Sequence, residues 1–158
     1  MQINFENLAE KHKWYVSNDT VMGGVSTSQI VVIENEMVFS GELSLENNGG
    51  FASVWRSPER LDMKTGKDVT LRALGDGRIY QLRLRMLGAE RISYRAEFRS
   101  TFDWSLHTFS ERDFTPVWRG RFVHGAPPLD LEKVISIGFL LADKKPGRFE
   151  LRVKSVEQ

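Results

Sequence analysis

The stretch Arg78-Ile79-Tyr80-Gln81-Leu82-Arg83-Leu84-Arg85-Met86-Leu87 decides the fold class. Tyr80, Leu82, Leu84 and Met86 fall on one side of an extended chain, and Gln81, Arg83 and Arg85 on the other. Such alternation marks a half-buried strand, because successive side chains of an extended backbone point to opposite faces. Leu87-Gly88-Ala89 follows as a turn, after which Ile92, Tyr94, Ala96 and Phe98 alternate with Ser93, Arg95, Glu97 and Arg99. Paired as a hairpin, the two runs carry Arg83, Arg85, Arg95 and Arg99 on one face, with Gln81 and Glu97 beside them.

The same period of two recurs outward from this pair. Between Val38 and Leu45, Phe39, Gly41, Leu43 and Leu45 oppose Ser40, Glu42 and Ser44. Further strands are predicted at Trp14–Ser17, Gln29–Ile33, Phe51–Arg56, Val69–Ala73, Trp104–Phe109, Val134–Leu141 and Arg148–Val156. Turn chemistry separates them at Asn47-Asn48-Gly49-Gly50, Gly75-Asp76-Gly77 and Lys145-Pro146-Gly147, where Asn and Gly tolerate the positive φ of tight turns. Helical spacing is confined to Asn4–His12, with Phe5, Leu8, Ala9 and His12 on one face, and to Leu129–Lys133. About ten short strands separated by turns predict an all-β sandwich or jelly roll. Without linker, repeat or low-complexity segment, residues 1–158 are read as one domain.

Composition removes several chemistries. The 158 residues include no cysteine, which excludes disulfides, thiolate-bound zinc, iron–sulfur clusters and cysteine nucleophiles. His12, His107 and His124 lack metal-site spacing, and GxSxG, GxGxxG and GxxxxGK[ST] are absent. No DxDxDG-type acidic cluster points to calcium, so neither metal nor cofactor is expected. Paired carboxylates for glycoside chemistry are neither indicated nor excluded among 21 acids. The first residues, MQINFENLAEKHK, resemble neither a secretory signal nor a transit peptide. No apolar run approaches the ~20 residues of a membrane span, so a cytoplasmic location without membrane insertion is expected.

Charge is informative by placement rather than by total. Lys and Arg number 22 against 21 acids, for a net charge of +1. That balance gives little of the phosphate-driven affinity nucleic acids require, so no nucleic-acid partner is expected. Residues 1–50 nevertheless carry two bases against seven acids, and residues 51–125 fourteen bases against nine. The arginine face reads in two ways: a solvated sheet surface with cross-strand Arg–Glu pairs, or a ligand groove whose guanidinium forks suit carboxylates, phosphates or sugar hydroxyls. Trp118, Arg119 and Arg121 extend the second reading, because aromatics interleaved with arginine are common at recognition surfaces.

Several strings in register add a family. Trp14-Tyr15-Val16-Ser17-Asn18-Asp19-Thr20-Val21-Met22-Gly23-Gly24-Val25-Ser26 resembles the opening motif of the complex I intermediate-associated protein 30 family. Phe39-Ser40-Gly41, Asn48-Gly49-Gly50-Phe51-Ala52-Ser53, Asp76-Gly77-Arg78, Phe114-x-Pro116-x-Trp118-Arg119-Gly120-Arg121, Ile137-Gly138-Phe139 and Gly147-x-Phe149-x-Leu151 agree in order. The match spans about Trp14 to Val156, in the manner of the compact bacterial members. It implies a galactose-binding-like β-jelly roll and, by analogy with mitochondrial members, a non-catalytic assembly factor that chaperones intermediates of respiratory complex I. Similar folds serve as carbohydrate-binding modules, so a glycan or other polar ligand on a concave Arg/aromatic face is the alternative. An enzyme on an unrecognised cleft is a third reading.

The candidate contact residues are Asp19, Thr20, Met22, Ser26, Arg83, Arg85, Arg95, Arg99, Trp118, Arg119 and Arg121. Arg83, Arg85 and Arg119 match family positions, though without a catalytic role to carry over. For Asp19 and Thr20 a second reading is open, in which they make local turns that hold the first strand in place. The partner class expected is a protein, namely respiratory-complex subunits or assembly intermediates.

Overall fold

A computed structural model describes residues 1–158. Thirteen strands follow in chain order: β1 (Gln2–Asn4), β2 (Trp14–Val16), β3 (Thr27–Ile33), β4 (Glu36–Leu43), β5 (Ala52–Arg56), β6 (Val69–Leu74) and β7 (Ile79–Met86), then β8 (Ser93–Arg99), β9 (Ser105–Phe109), β10 (Thr115–Trp118), β11 (Arg121–Phe122), β12 (Val134–Leu141) and β13 (Gly147–Glu157). They form two antiparallel sheets. The first has the order β3-β4-β13-β6-β9 with β1 also on β13, and the second the order β11-β10-β8-β7-β12-β5-β2. The expected all-β sandwich is what the chain forms.

Between the sheets lies a buried core of 31 residues. Phe149 from the first sheet meets Phe39 edge-on at 5.0 Å and reaches Tyr80 of the second sheet at 6.5 Å. Trp14 stacks on Phe139 at 6.0 Å, tying edge strand β2 over β12. Tyr80, Leu82, Leu84 and Met86 are all in this core. Gln81, Arg83 and Arg85 therefore point to the outer face of the second sheet, since strand side chains alternate.

Some expectations differ from the structure. The predicted Asn4–His12 helix is strand β1 followed by a single helical turn, α1 (Leu8–Lys11), whose Asn7 side chain accepts from the Ala9 amide at 2.9 Å. Leu8 is 72% exposed while Phe5 is in the core, so the supposed apolar helix face does not exist. β1 wins this segment by pairing with the far end of the chain, Ile3 opposite Val156, which local periodicity cannot register. Leu129–Lys133 reduces to a 3-10 turn at Leu131–Lys133 that buries Leu131. Leu45 lies beyond the end of β4 and is exposed.

The hairpin β10–β11 also adds strands to those expected. Trp118 pairs with Arg121 across a two-residue loop, Arg119-Gly120, with φ of 50° and 74°. Positive φ at both central residues is the turn that matches strand twist.

Candidate functional site

Strand pairing lines up a row of residues across the outer face of the second sheet. Tyr15 is opposite Trp55, Trp55 opposite Gly138, Gly138 opposite Arg83, Arg83 opposite Arg95, and Arg95 opposite Thr115. A parallel row pairs Ser53 with Leu140, Leu140 with Gln81, and Gln81 with Glu97. The patch expected from the β7–β8 hairpin therefore forms, extended by Tyr15 and Trp55 from the sheet's other half.

Trp55 is the centre of this face. It is only 3% exposed yet lies outside the core, because it packs flat on the sheet surface. Gly138 makes room for it: a Cβ there would come within 2.5 Å of the indole and 2.8 Å of the Val54 carbonyl. The Arg85 guanidinium sits over the ring, 3.6 Å from its centroid, a cation–π contact of about 1 kcal/mol. Gly138→Ala is accordingly expected to displace Trp55 and cost about 2 kcal/mol by overpacking, measured by urea unfolding. An unchanged midpoint together with unchanged tryptophan fluorescence would contradict this packing.

The arginines of the face are unneutralised. The other buried or half-buried arginines have acids: Arg56 pairs with Glu10 and Glu59, Arg78 with Asp143, and Arg152 with Glu36 and Glu150. Arg83, Arg85 and Arg95 form no salt bridge. Arg83 is 9% exposed and donates Nε–H to Gln81 at 2.9 Å and Nη1–H to the Ser93 hydroxyl. Burial, reinforced by the neighbouring charges of Arg95 and Arg85, pushes its guanidinium down to about 10. Burial likewise lowers Arg85, opposed by the Tyr15 hydroxyl, and the Arg85 Nε–H is buried without an acceptor. Residues two apart on a strand are about 7 Å apart. At an effective dielectric of about 20, two guanidiniums at that spacing repel by about 2 kcal/mol.

Other candidates fall at the edges of the sheet. Arg99 is opposite Ile79, two positions beyond the Arg95 row, and donates to the Gly77 carbonyl at 2.9 Å. The hairpin β10–β11 forms one edge. Val117 is opposite Ser93 and Phe122 opposite Val117, so register turns Phe122 toward the arginine face. By the same alternation Trp118 and its partner Arg121 face the other way. Arg119 stacks on Trp118 at 4.8 Å.

At the opposite edge, the loop after β2 is organised by Asp19. That carboxylate is fully buried and accepts from the Ser26 amide at 3.0 Å, the Ser26 hydroxyl at 2.6 Å, the Gly50 amide at 2.7 Å and the Phe51 amide at 3.2 Å. Burial alone would raise its pKa, but these hydrogen bonds outweigh it and hold the group below the ordinary carboxylate value. Gly24 and Gly49 are needed here, since a Cβ at either would collide with the Asp19 carboxyl, at 2.4 and 2.6 Å. Asp19 and Ser26 thus hold two loops together, while Thr20, Val21 and Met22 are exposed on the 3-10 turn Asp19–Met22. The aromatic residues missed by sequence reasoning, Tyr15, Trp55 and Phe122, lie in short strands whose partners are distant or unrecognised. A signal existed in the alternation of Ser53 and Trp55 against Ala52 and Val54.

No group of three or more His, Asp or Glu residues is placed to hold a metal ion, and no helix is long and apolar enough to cross a membrane. Two face-to-face antiparallel sheets define a β-sandwich, here with a polar and aromatic outer face. The family is defined by sequence: residues 3–153 match complex I intermediate-associated protein 30 (CIA30), and the chain belongs to that family. The mouse protein "Complex I intermediate-associated protein 30, mitochondrial" is 30% identical over 175 residues, covering 94% of this chain and 52% of its own length. The chain thus spans about half the length of that relative.

Among solved structures, the family 11 carbohydrate-binding module from Clostridium thermocellum, in complex with a β-1,3-1,4-mixed-linked tetrasaccharide, superposes with a TM-score of 0.64. Identity is 16%, covering 98% of this chain and 94% of that one. An exo-β-agarase superposes at 0.57 with 9% identity, covering 98% of this chain and 24% of the agarase. At these identities the likeness is one of fold.

Proposed function

We propose that this chain is a non-catalytic binding domain of the assembly-factor type, whose partner is a protein: subunits or assembly intermediates of respiratory complex I. Family membership supports the partner class. The observation that carries the choice of surface is the row Tyr15–Trp55–Arg83–Arg95 on the outer face of the second sheet. Aromatic and arginine side chains supply most of the energy at protein interfaces, and here they are assembled on one sheet. The Thr20–Met22 tip and Phe122 of the β10–β11 hairpin lie at the two edges of that sheet and serve as rim contacts.

The test is affinity purification of the tagged chain from its source cell, with blotting for complex I subunits. Wild type is expected to recover them, and Tyr15→Ala/Phe122→Ala, which leaves every arginine in place, to reduce recovery at least tenfold. Recovery without any complex I subunit would sink the reading.

A second reading is a carbohydrate-binding module on the same face, favoured by Tyr15 and Trp55 lying beside polar residues. Calorimetric titration with a mixed-linkage β-glucan tetrasaccharide decides it, and absence of heat at millimolar ligand would remove it.

A further inference from the structure

The fold leaves an unusual charge arrangement on the outer face of the second sheet. Arg83 is buried at its floor, held by Gln81 and Ser93, while Arg85 and Arg95 beside it remain partly exposed. The only acid these strands place on that face, Glu97, is opposite Gln81, exposed, and bridges to none of them. The Arg85 Nε–H is buried and unused although its guanidinium is fixed against Trp55. Buried donors are nearly always satisfied, and buried charges are nearly always paired. Arg85, fixed against Trp55, and Arg95, opposite buried Arg83, have no acid of their own, and guanidiniums so placed suit a carboxylate.

We infer that Arg85 and Arg95, over buried Arg83, take a carboxylate from an acidic segment of the protein partner. This rests on the protein-binding reading above and names the chemistry its partner must present. A peptide is favoured over an acidic saccharide because the rim is apolar on both sides, with Tyr15 and Phe122 exposed at the two edges. The two exposed aromatic rings give apolar contact area to the side chains that flank an acidic residue in a peptide. The site is a charged centre between two hydrophobic shoulders.

The experiment follows arginine Nε–H resonances of the full-length ¹⁵N-labelled chain during titration with tetraglutamate, tetraglutamine and trigalacturonate. Tetraglutamate is expected to shift the Arg85 and Arg95 signals, with affinity falling as salt is raised, and tetraglutamine to leave them in place. Arg85→Met and Arg95→Met are each expected to weaken tetraglutamate binding about tenfold. Arg72→Met, at an exposed arginine on β6 of the first sheet, serves as the neutral control. Unchanged melting temperatures show that the variants are folded.

No shift with tetraglutamate, or equal affinity in all variants, overturns the carboxylate site. Tighter binding of trigalacturonate with the same arginine dependence overturns the peptide assignment. If complex I subunits co-purify but tetraglutamate leaves these arginines unmoved, this inference falls and the binding reading stands. If tetraglutamate binds but no subunit co-purifies, the site stands and the partner reading falls.

Discussion

Replacing Arg78 by methionine is expected to lower the unfolding free energy by about 4 kcal/mol, the largest effect of any single substitution considered. The Arg78 guanidinium is mostly buried and grips both oxygens of Asp143, at 2.7 and 2.9 Å. It also donates to the carbonyls of Arg148 at 2.9 Å, Gly147 at 3.3 Å and Lys145. One cation thus closes the turn between β12 and β13 against the start of β7. Methionine keeps the apolar stem but leaves a buried carboxylate and three carbonyls without their donor, and breaking a buried pair from one side costs about 3–5 kcal/mol. At about 2–4 °C per kcal/mol for a chain of this size, the melting temperature should fall by roughly 8–16 °C.

The pH dependence gives a second readout of the same pair. Burial tends to raise the Asp143 pKa, but the hydrogen bonds and charge of Arg78, with the Lys145 amide, outweigh it and hold the group below its ordinary value. A depressed carboxylate contributes stability above its unfolded pKa of about 3.9, and that contribution is lost as pH falls through the folded value. In Arg78→Met that portion of the acid destabilisation should shrink sharply, because the Lys145 amide alone is left to offset burial. A loss under 1 kcal/mol with an unaltered acid profile would mean that Arg78 does not hold the turn.

Asp19→Ala is expected to cost about 3 kcal/mol. Its carboxylate accepts from the Ser26 amide and hydroxyl and from the Gly50 and Phe51 amides, joining the two loops. Each buried donor left unsatisfied costs about 1–3 kcal/mol, partly relieved by water entering the loop. Asp19→Asn should cost less, about 2 kcal/mol, since one oxygen remains while the new amide faces donors on the other side. Because the folded pKa of Asp19 is depressed, its contribution too is present above about pH 3.9 and fades on acidification. Chemical unfolding at pH 7 and at pH 2, below the unfolded pKa, checks both statements. Equal stability of wild type and Asp19→Ala at pH 7 would contradict the staple.

These two sites show where sequence reasoning stops. Asp19–Ser26 and Asn48–Ser53 were both legible as motifs, but that they meet at a single carboxylate is a fact of three-dimensional pairing. Between the turn reading and the contact reading of Asp19, the hydrogen bonds favour the structural role. The β7–β8 arginine face was legible because its strands are adjacent and their turn is short, so alternation alone predicts that Arg83 and Arg95 are neighbours. Trp55 was not legible as part of that face. It enters through β12, some 80 residues along the chain, at a position opened by Gly138. Trp118 alternates away from the arginines because β10 pairs with β8 with Val117 opposite Ser93, which a list of aromatic residues does not convey.

The central claim is that the outer face of the second sheet is the surface that contacts a protein partner. Site-specific photocrosslinking in the source cell tests it directly, with benzoylphenylalanine introduced at Tyr15, at Phe122, or at the comparably exposed Ile33 on edge strand β3 of the first sheet. The account predicts crosslinks to complex I subunits from positions 15 and 122 and none from position 33. Crosslinks to those subunits from position 33 alone would place the interface on the other sheet and contradict it.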